Sequence, residues 1–329
     1  MQKKQVLIDN RWAGETGIGR LYKEVIKLKP EEVDCSFVSN KMGLGSLFSP
    51  LMLANEIRKT RADTFYSPSF MPPLYSSVPF IFTVHDLMHL FYYSSLHRIY
   101  YQQIIARLAK KAKRIITVSH FSKQQLVELM GIKEELISVI YNGVDESFLL
   151  NTEQYPADRP YLLYVGNRRK NKNIPAMLIA FAQAKIPDDF IFLLTGNPDP
   201  DLSAQISDLK ITNRVRFLGF VDEAELPKLY KGAHATLFVS LMEGFGLPLL
   251  ESMASGTPVL TSKESSLPEI AGNAALCVNP FDVEEIAEGI ERLVNDKILY
   301  KEFVEKGYQR AKDFPWKATA KETWQIILS

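Results

Sequence analysis

The stretch Ser240–Thr261, SLMEGFGLPLLESMASGTPVLT, is the most informative part of this chain. The apolar run Ala235–Val239 before it predicts a buried strand. A helix is expected from about Pro248, because proline is suited to a first helical turn. The glycine-containing segment 244–246 lies between the two. A strand, a glycine loop and a helix N-terminus together form an anion-binding site, since the loop amides point outward and the helix dipole favours negative charge.

Two carboxylates flank this glycine segment. Glu243 precedes it, and Glu251 lies one turn inside the expected helix. A carboxylate can accept two hydrogen bonds from a vicinal diol, which a ribose or a hexose presents, so both side chains are candidates for holding sugar hydroxyls. In the alternative interpretation, Glu251 only balances the helix dipole and Glu243 is a solvated loop residue.

Length and composition indicate a soluble globular protein. The chain has 329 residues, enough for two domains, with 46% apolar and 23% charged residues. Its net charge of +1 is unevenly spread. Residues 1–140 hold 19 Lys and Arg against 12 Asp and Glu, which gives +7, and the remainder holds 20 against 26, which gives −6. This asymmetry concerns partners rather than the fold.

The cysteines and the hydropathy pattern indicate the compartment. Cys35 and Cys277 are far apart in sequence and offer neither a disulfide framework nor a metal-binding spacing, so a reducing cytosol is expected. No apolar run approaches the ~20 residues of a spanning helix, and the N-terminal segment leads straight into a predicted strand. Neither a transmembrane helix nor a signal peptide is therefore expected.

Short apolar runs alternate with amphipathic stretches, which predicts an α/β fold with parallel sheets covered by helices on both faces. Strands are expected in the first half at Val6–Asp9, Ser36–Val38, Thr64–Tyr66, Phe80–His85, Arg114–Ser119 and Ser138–Ile140. A second set is expected at Tyr161–Val165, Phe190–Thr195, Val215–Phe217, Ala235–Val239, Val259–Leu260 and Ala275–Val278. The polar segment Asn151–Pro160 between the two sets predicts a linker, and the last helix is expected at Trp316–Leu328.

Two motifs in the first half lie where predicted strands end. Gly17 and Gly19 follow the first strand and precede a helix, but the third glycine of a dinucleotide fingerprint is missing, so a tight turn is the alternative. His85 and Asp86 end a predicted parallel strand, the edge at which open α/β sheets bind ligands. The alternative for His85 is a side chain that only caps the strand end.

The segment Leu96–Arg114 has a helical pattern and carries six cations without an acid, with tyrosines in or beside it. A basic, aromatic-rich helix can lie against an anionic membrane surface. The alternative is a solvated face with the tyrosines in the core. One basic helix does not predict nucleic-acid binding, and no nucleic-acid module is present.

The loop after the strand Tyr161–Val165 is a second candidate anion site. Gly166–Asn173 holds four cations ahead of a predicted helix, so charge and backbone both favour an oxyanion. A chance basic loop is the alternative. Asp199 and Asp201 have the spacing of a divalent-metal motif, but the surrounding prolines and Gly196 favour a turn.

Glu243 and Glu251 with seven residues between them, followed by Gly256-Thr257-Pro258, resemble the Glu-x7-Glu motif of retaining glycosyltransferases with the GT-B fold, family 4 (group 1). Other segments agree in order and spacing, most strongly between residues 161 and 280. The resemblance implies two Rossmann-like domains whose parallel sheets face each other across a cleft. Residues 1–150 would bind the acceptor, residues 151–312 would bind the nucleotide sugar, and a helix at 313–329 would pack back on the first domain.

The same resemblance implies the roles of individual residues. Catalysis is assigned to His85, Glu243, Lys172 and Arg168. Donor binding is assigned to Gly17, Gly19, Gly166, Asn167, Arg169, Gly244, Phe245, Gly246, Leu247 and Glu251, and acceptor binding to Arg20 and Asp86. An arginine is usual in the family where this chain has Asn167, so Arg168 or Arg169 must replace it.

The function implied is retaining transfer of a hexose from a nucleotide-diphosphate sugar to a hydroxyl of a glycan or polyprenyl-linked glycan. No cofactor and no metal are expected, because protein cations would neutralise the leaving diphosphate. GDP-mannose is the favoured donor, since Gly-Ile-Gly-Arg20 and Val-His85-Asp86-Leu resemble mannosyltransferases of bacterial polysaccharide assembly. UDP-glucose or UDP-N-acetylglucosamine is the alternative. The expected location is the cytoplasm, with or without peripheral contact of Leu96–Arg114 with the inner face of the membrane.

Two other classes of protein remain as alternatives. One is an NAD-dependent oxidoreductase or sugar epimerase, which the incomplete glycine fingerprint disfavours. The other is a catalytically silent nucleotide-sugar-binding subunit, which the presence of Glu243, Glu251, Lys172 and His85 disfavours.

Overall fold

A computed structural model of the chain describes residues 3–14, 16–39, 42–43 and 46–329. The chain divides into two compact units. The first unit ends at Gly143 and is completed by Trp316–Ser329, and the second unit is Val144–Pro315. The polar segment 151–160 belongs to the second unit.

The first unit contains a six-stranded sheet in the order β2-β1-β3-β4-β5-β6, in which all neighbours pair in parallel. Its strands are β1 (Lys4–Ile8), β2 (Val33–Phe37), β3 (Thr64–Ser67), β4 (Phe80–Val84), β5 (Arg114–Thr117) and β6 (Ile137–Val139). Every residue of β3 and β4 is buried, as expected for central strands covered on both faces.

The helices of the first unit before residue 143 are α1 (Gly17–Lys27), α2 (Ser49–Lys59), α3 (His89–Tyr92), α4 (Ser95–Tyr100), α5 (Ala106–Ala109) and α6 (His120–Met130). The uninterrupted helix expected from Leu96 to Arg114 is therefore wrong in two respects. A π-helical turn, Tyr101–Ile105, separates α4 from α5, and the helix ends at Ala109, because Arg114 already begins β5.

The second unit contains another six-stranded parallel sheet, in the order β12-β11-β10-β7-β8-β9. Its strands are β7 (Tyr161–Tyr164), β8 (Ile191–Leu194), β9 (Val215–Phe217), β10 (Ala235–Phe238), β11 (Val259–Ser262) and β12 (Leu276–Val278). Its helices are α7 (Glu146–Leu150), α8 (Ile174–Gln183), α9 (Pro200–Asp208), α10 (Leu226–Gly232), α11 (Leu247–Ala254), α12 (Leu267–Ala271), α13 (Val283–Asn295) and α14 (Lys297–Ala311).

The strand order of each sheet reverses once. In the first sheet, β2 lies on one side of β1 and the later strands lie on the other. In the second sheet, β8 and β9 lie on one side of β7, and β10, β11 and β12 lie on the other. Ligands of open α/β sheets bind outside the carboxyl ends of the strands at such a reversal. The carboxyl ends of β1 and β3, and those of β7 and β10, are therefore the places where a site is expected.

A final helix, α15 (Trp316–Leu328), packs on α1 in the first unit. The buried Trp324 donates its indole Nε1–H to the backbone oxygen of Val25 at 2.8 Å. Thr319 donates to the backbone oxygen of Tyr141 at 2.7 Å. The described part of the chain contains no helix with the length and apolar character needed to cross a bilayer.

Candidate active site

The clearest feature at the strand-order reversal of the second unit is an ion pair. The ammonium Nζ of Lys172 lies 2.5 Å from Oε1 of Glu243, and the two side chains are only 12% and 8% exposed. Lys172 follows β7 and Glu243 follows β10, so the pair joins neighbouring strand ends. The same ammonium lies 5.4 Å from the ring centre of Phe238, which contributes a cation–π attraction.

The loop that carries Lys172 is held to the loop that carries Glu243 by Asn171. The buried Asn171 side chain donates to the backbone oxygen of Met242 at 3.0 Å, and its own backbone oxygen accepts from Leu241 at 2.7 Å. Asn173 then takes the left-handed backbone conformation from which α8 begins. Its side-chain Nδ2 donates to the backbone oxygen of Pro280 at 2.7 Å. These contacts fix the position from which Lys172 extends.

The segment 243–247 is anchored from the next strand end. The backbone N–H of Glu243 donates to Ser265 at 3.1 Å. The Ser266 hydroxyl lies 3.0 Å from the backbone oxygen of Glu243 and 3.2 Å from that of Phe245, and it is the donor to both. Gly246 has φ +107°, and a Cβ there would lie 2.7 Å from Leu267, so a glycine is required where α11 begins. Ser265 and Ser266 therefore support the Glu243 loop.

Glu251 lies inside α11 and is buried. The hydroxyl of Tyr230, itself fully buried, donates to Oε2 of Glu251 at 2.9 Å. The Glu251 carboxylate is therefore not a solvated first-turn acid, and Tyr230 supplies a donor of the kind that a buried carboxylate needs.

Arg168 and Arg169 lie in different environments. The Arg168 guanidinium stacks at 5.7 Å from the ring centre of Tyr164 and 5.3 Å from that of Phe217, and its Nη2 donates to the backbone oxygen of Thr195. Its Nε and Nη1 are buried and have no partner among the described residues. Burial lowers the pKa of this guanidinium. The side chain of Arg169 is exposed. Of the two, Arg168 is the arginine that the fold holds in place.

Gly166 and Asn167 shape the beginning of this loop. Asn167 is exposed, its backbone oxygen accepts from the Tyr164 hydroxyl at 2.6 Å, and its side-chain oxygen accepts from the Arg169 N–H at 3.1 Å. Gly166 has φ +152°, and a Cβ there would lie 2.8 Å from the Tyr164 hydroxyl. The loop therefore depends on a glycine at 166.

In the first unit, Gly17, Gly19 and Arg20 form the first turn of α1, after the end of β1. Thr16 caps this helix by accepting from the Gly19 N–H at 3.2 Å. A Cβ on Gly19 would lie 2.0 Å from the backbone oxygen of Gly14. The second glycine of the motif thus permits a close approach between two backbone segments.

His85 and Asp86 follow β4, at the edge that the sequence indicates. The half-buried His85 lies with Nε2 at 2.8 Å from the backbone oxygen of Pro68. Since a carbonyl only accepts, Nε2 carries the proton and Nδ1 is left as an acceptor. Burial lowers the pKa of His85 from 6.5 to about 4, so the ring is neutral near pH 7. Asp86 accepts from the Met88 N–H at 2.9 Å.

One cluster at this edge was missed by the sequence analysis. Asp9, fully buried after β1, receives Arg11 Nε at 2.8 Å and Arg11 Nη2 at 2.7 Å. Ser67 at the end of β3 also donates to Asp9, and Arg11 donates to Ser49 at the start of α2. An acid at the end of the first predicted strand was the available signal. Tyr230 was also missed, and nothing in its local sequence connects it with Glu251.

Asp199 and Asp201, whose spacing is that of a divalent-metal motif, lie at the start of a helix. Asp199 caps α9 by accepting from the Leu202 N–H at 2.9 Å, and Asp201 lies in the first turn. Among the described residues, no group of three or more His, Cys, Asp or Glu side chains is arranged to hold a metal ion.

The second unit therefore brings Lys172, Glu243, Glu251 and Arg168 to the carboxyl edge of its sheet, together with the start of α11. This edge combines cations and a helix N-terminus, which suit a phosphate, with two buried carboxylates, which suit hydroxyl groups. His85, Asp86, Gly19 and Arg20 lie at the corresponding edge of the first unit.

Two relatives show what the sequence is similar to. The chain is 32% identical over 228 residues to the O-antigen chain mannosyltransferase RfbU of Salmonella typhimurium. The aligned region covers 65% of this chain and 63% of the relative. It is 29% identical over 238 residues to the O-antigen chain mannosyltransferase B of Escherichia coli, covering 68% and 62%. The matched region thus spans about three fifths of the length of these curated relatives.

The fold and the family follow from two further comparisons. The Anabaena protein HepE, solved in complex with UDP and glucose, has the same fold with a TM-score of 0.79 over 98% of both chains, at 18% identity. The family model for glycosyl transferases group 1 matches residues 147–310, and the model for glycosyltransferase family 4 matches residues 17–148. Because the two models together cover residues 17–310, the chain belongs to the group 1 glycosyltransferases with the GT-B fold.

Proposed function

We propose that this protein transfers a hexose from a nucleotide-diphosphate sugar to a hydroxyl of a glycan or polyprenyl-linked glycan during polysaccharide assembly. The observation that carries the proposal is the buried Lys172–Glu243 pair at the strand-order reversal of the second unit. A cation for a phosphate and a carboxylate for sugar hydroxyls lie side by side there. A nucleotide-diphosphate sugar presents both groups on either side of the bond to be broken.

The cations would act on the leaving group. Cleavage of the bond between the anomeric carbon and the diphosphate leaves negative charge on the departing oxygen, and donors fixed near that oxygen lower the barrier. Lys172 is the main candidate, because its loop is fixed by Asn171 and Asn173. Arg168 is the second, since its buried Nε and Nη1 lack partners among the described residues. With these cations in place, we propose that transfer needs no divalent metal.

The carboxylates and His85 would hold the hydroxyl groups. Glu243 would accept from the sugar and Glu251 from the ribose, with Tyr230 fixing one oxygen of Glu251. His85 would accept a hydroxyl hydrogen at Nδ1, because its Nε2 proton is engaged by Pro68. Asp86 and Arg20 are proposed to contact the acceptor. These roles extend the family resemblance onto residues whose local geometry suits them.

We propose that the anomeric configuration is retained, as in the enzymes that the chain resembles. The acceptor hydroxyl would attack the anomeric carbon from the face that the diphosphate leaves. The carbon–oxygen bond to the diphosphate breaks as the new glycosidic bond forms. The proton of the attacking hydroxyl passes to the departing phosphate oxygen, so the charges balance without a protein base.

Mannose from GDP-mannose is the proposed donor group. This choice rests on the motifs around Arg20 and His85 and on two relatives named as O-antigen chain mannosyltransferases. A uridine donor is the second candidate, because the structurally similar HepE was solved with UDP and glucose.

The test is thermal unfolding of the purified chain with GDP-mannose, UDP-glucose, UDP-N-acetylglucosamine or NAD, each with and without EDTA. A ligand that binds only the native state raises the unfolding midpoint by mass action. We expect GDP-mannose to raise it equally with and without EDTA. A shift with only a uridine donor would replace the proposed base, and a shift lost in EDTA would contradict metal independence. NAD alone raising the midpoint would overturn the proposed function.

A further inference from the structure

The buried acid Asp9 joins two strand ends at the order reversal of the first sheet. Its backbone N–H donates to the backbone oxygen of Tyr66 at 2.9 Å, and its Oδ2 accepts from the Ser67 hydroxyl at 3.3 Å. Asp9 and Ser67 are both fully buried. Because Asp9 follows β1 and Ser67 ends β3, these bonds set the position of one strand end against the other.

Arg11 holds the Asp9 carboxylate in the orientation that Ser67 meets. Its Nε lies 2.8 Å from Oδ1 and its Nη2 lies 2.7 Å from Oδ2, so the guanidinium binds both oxygens at once. The third nitrogen, Nη1, donates to Ser49 at 3.2 Å. Since the guanidinium is a rigid planar fork, the carboxylate cannot turn away from Ser67 without losing one of these bonds.

Stability alone does not account for this pair. The Arg11 side chain is 6% exposed and that of Asp9 is fully buried. The cost of removing two such charges from water offsets most of their attraction, so a buried pair contributes little net stability. What the pair does define is the position of the Ser67 side chain.

Pro68 connects Ser67 to His85. Residues 67–73 are all buried, although Ser67 alone among them belongs to a strand. The proline ring fixes φ, so the direction of the Pro68 carbonyl depends largely on where Ser67 lies. This carbonyl lies 2.8 Å from Nε2 of His85. If the ring proton moved to Nδ1, two acceptors would face each other and a buried carbonyl would be left without a donor.

We propose that Asp9 and Arg11 are positioning residues for His85, which act through Ser67 and the Pro68 carbonyl to keep the ring proton on Nε2 and to leave Nδ1 as an acceptor. The inference rests on the proposed function, in which His85 accepts a substrate hydroxyl at Nδ1. In the described part of the chain the ring makes no other hydrogen bond, so the Pro68 carbonyl selects the tautomer.

The test is nuclear magnetic resonance of the full chain labelled with ¹⁵N-histidine, at about pH 7.5, where the His85 ring is neutral. Asp9→Ala would leave the Arg11 cation buried without its partner and unfold the unit, so the connection is cut at Ser67 instead. With Ser67→Ala, we expect the Nε2-protonated form of His85 to lose intensity and an Nδ1-protonated form to emerge. Arg11→Lys keeps the charge but not the planar fork, and should act in the same direction.

Two controls separate positioning from a general loss of stability. Glu56 is a buried acid of the same unit that accepts from the Ser39 N–H at 3.0 Å and from the Ser39 hydroxyl at 2.6 Å, so Glu56→Gln should leave the His85 ring signals unchanged. The ring of His234, with Nε2 at 3.1 Å from the backbone oxygen of Leu293 in the second unit, is an internal reference that should be constant in every variant. Unchanged His85 signals in both Ser67→Ala and Arg11→Lys, or an equal change in Glu56→Gln, would overturn the proposal.

Hydrolysis of GDP-mannose, with water in place of the acceptor, gives the second measurement. In Ser67→Ala, kcat should fall about tenfold, as for one lost hydrogen bond to a charged group, while KM changes less than about twofold. A changed ring with unchanged kcat would also overturn the positioning role. Failure of the unaltered chain to hydrolyse any nucleotide sugar would contradict the proposed function alone, because the ring signals test the connection without turnover.

Discussion

Lys172 and Glu243 neutralise each other in the structure, yet each is assigned to a different part of the donor. Binding of the proposed donor would therefore exchange this contact for two others. A diphosphate would compete with Glu243 for the ammonium, and sugar hydroxyls would compete with Lys172 for the carboxylate. Since both side chains are largely buried, neither can lose its partner without a replacement.

Replacing one partner of this pair should cost both stability and activity. Lys172→Met leaves the Glu243 carboxylate without its cation, and the free energy of unfolding should fall by ~3–5 kcal/mol. The double variant Lys172→Met with Glu243→Leu should recover most of that loss while transfer stays abolished. Urea unfolding and a transfer assay measure the two effects. Turnover retained in the double variant would show that the assigned roles are wrong.

Tyr230 should act on donor binding through Glu251. Tyr230→Phe removes the 2.9 Å hydrogen bond to Oε2 of Glu251 and leaves the ring in place. A hydrogen bond to a charged group contributes ~1.5–3 kcal/mol, so KM for the donor should rise about tenfold or more with little change in kcat.

The matched control is Tyr161→Phe. Tyr161 is equally buried and donates its hydroxyl to the backbone oxygen of Leu229 at 2.7 Å, without touching Glu251. Tyr161→Phe should lower the free energy of unfolding without changing KM for the donor. Equal effects of the two substitutions on KM would reduce Tyr230 to a packing residue.

Two half-buried histidines, His85 and His89, should make the first unit acid-sensitive. Burial lowers the pKa of His85 and of His89 from 6.5 to about 4. As pH falls, the unfolded chain takes up these protons near 6.5 and the folded chain only near 4. Their contribution to stability is therefore fully present above about pH 6.5 and is lost between about pH 6.5 and about pH 4.

Urea unfolding at about pH 7.5 and about pH 5 measures this loss. His85→Gln with His89→Phe should flatten the decline, because the unfolded chain then loses two proton-binding groups that the fold keeps neutral. His120→Gln, at an exposed position, should leave the slope as it is. An unchanged slope in the double variant would contradict the assignment.

At the scale of single elements, the sequence predicted most of what the structure contains. The last helix, expected at Trp316–Leu328, is observed with those bounds. The π-helical turn at Tyr101–Ile105 was not predicted. It depends on Tyr101 packing against His89 and Phe70, contacts that local sequence does not encode.

The turn that begins α1 should tolerate no side chain at Gly19. A Cβ there would lie 2.0 Å from the backbone oxygen of Gly14, so Gly19→Ala must displace backbone rather than a flexible side chain. We expect a clear fall in the unfolding midpoint. Gly43→Ala is the control, since a Cβ at that position meets nothing within 4 Å. Similar unfolding midpoints for the two variants would show that the loop can rearrange without loss of stability.

For the whole molecule, the α/β class, the two parallel sheets and the family were all predicted correctly. The side-chain partners in the site were not, because they depend on contacts distant in sequence. Lys172 meets Glu243 across 71 positions, and Tyr230 meets Glu251 across 21. Motif spacing located the groups near strand ends, whereas only the folded sheet order shows which of them pair.

The return of the chain into the first unit should be needed for that unit's stability. Trp324 is 2% exposed and packs against α1, so Trp324→Ala should destabilise the first unit by ~3–5 kcal/mol. Hydrogen exchange should then accelerate in β1 and α1 but not in residues 144–315. The exposed Lys317→Ala on the same helix is the control. Acceleration spread evenly over both units would contradict a local role for α15.

The position of α15 also affects the order in which the protein can mature on the ribosome. Residues 316–328 follow the entire second unit in the chain, although they cover α1 of the first. During synthesis, residues 144–315 are therefore complete and able to fold while the earlier half still exposes the surface that Trp324 will cover. The nascent first unit must therefore stay able to fold, and must be protected from aggregation, until its last helix is synthesised. That interval is the time needed to translate the 172 residues of the second unit.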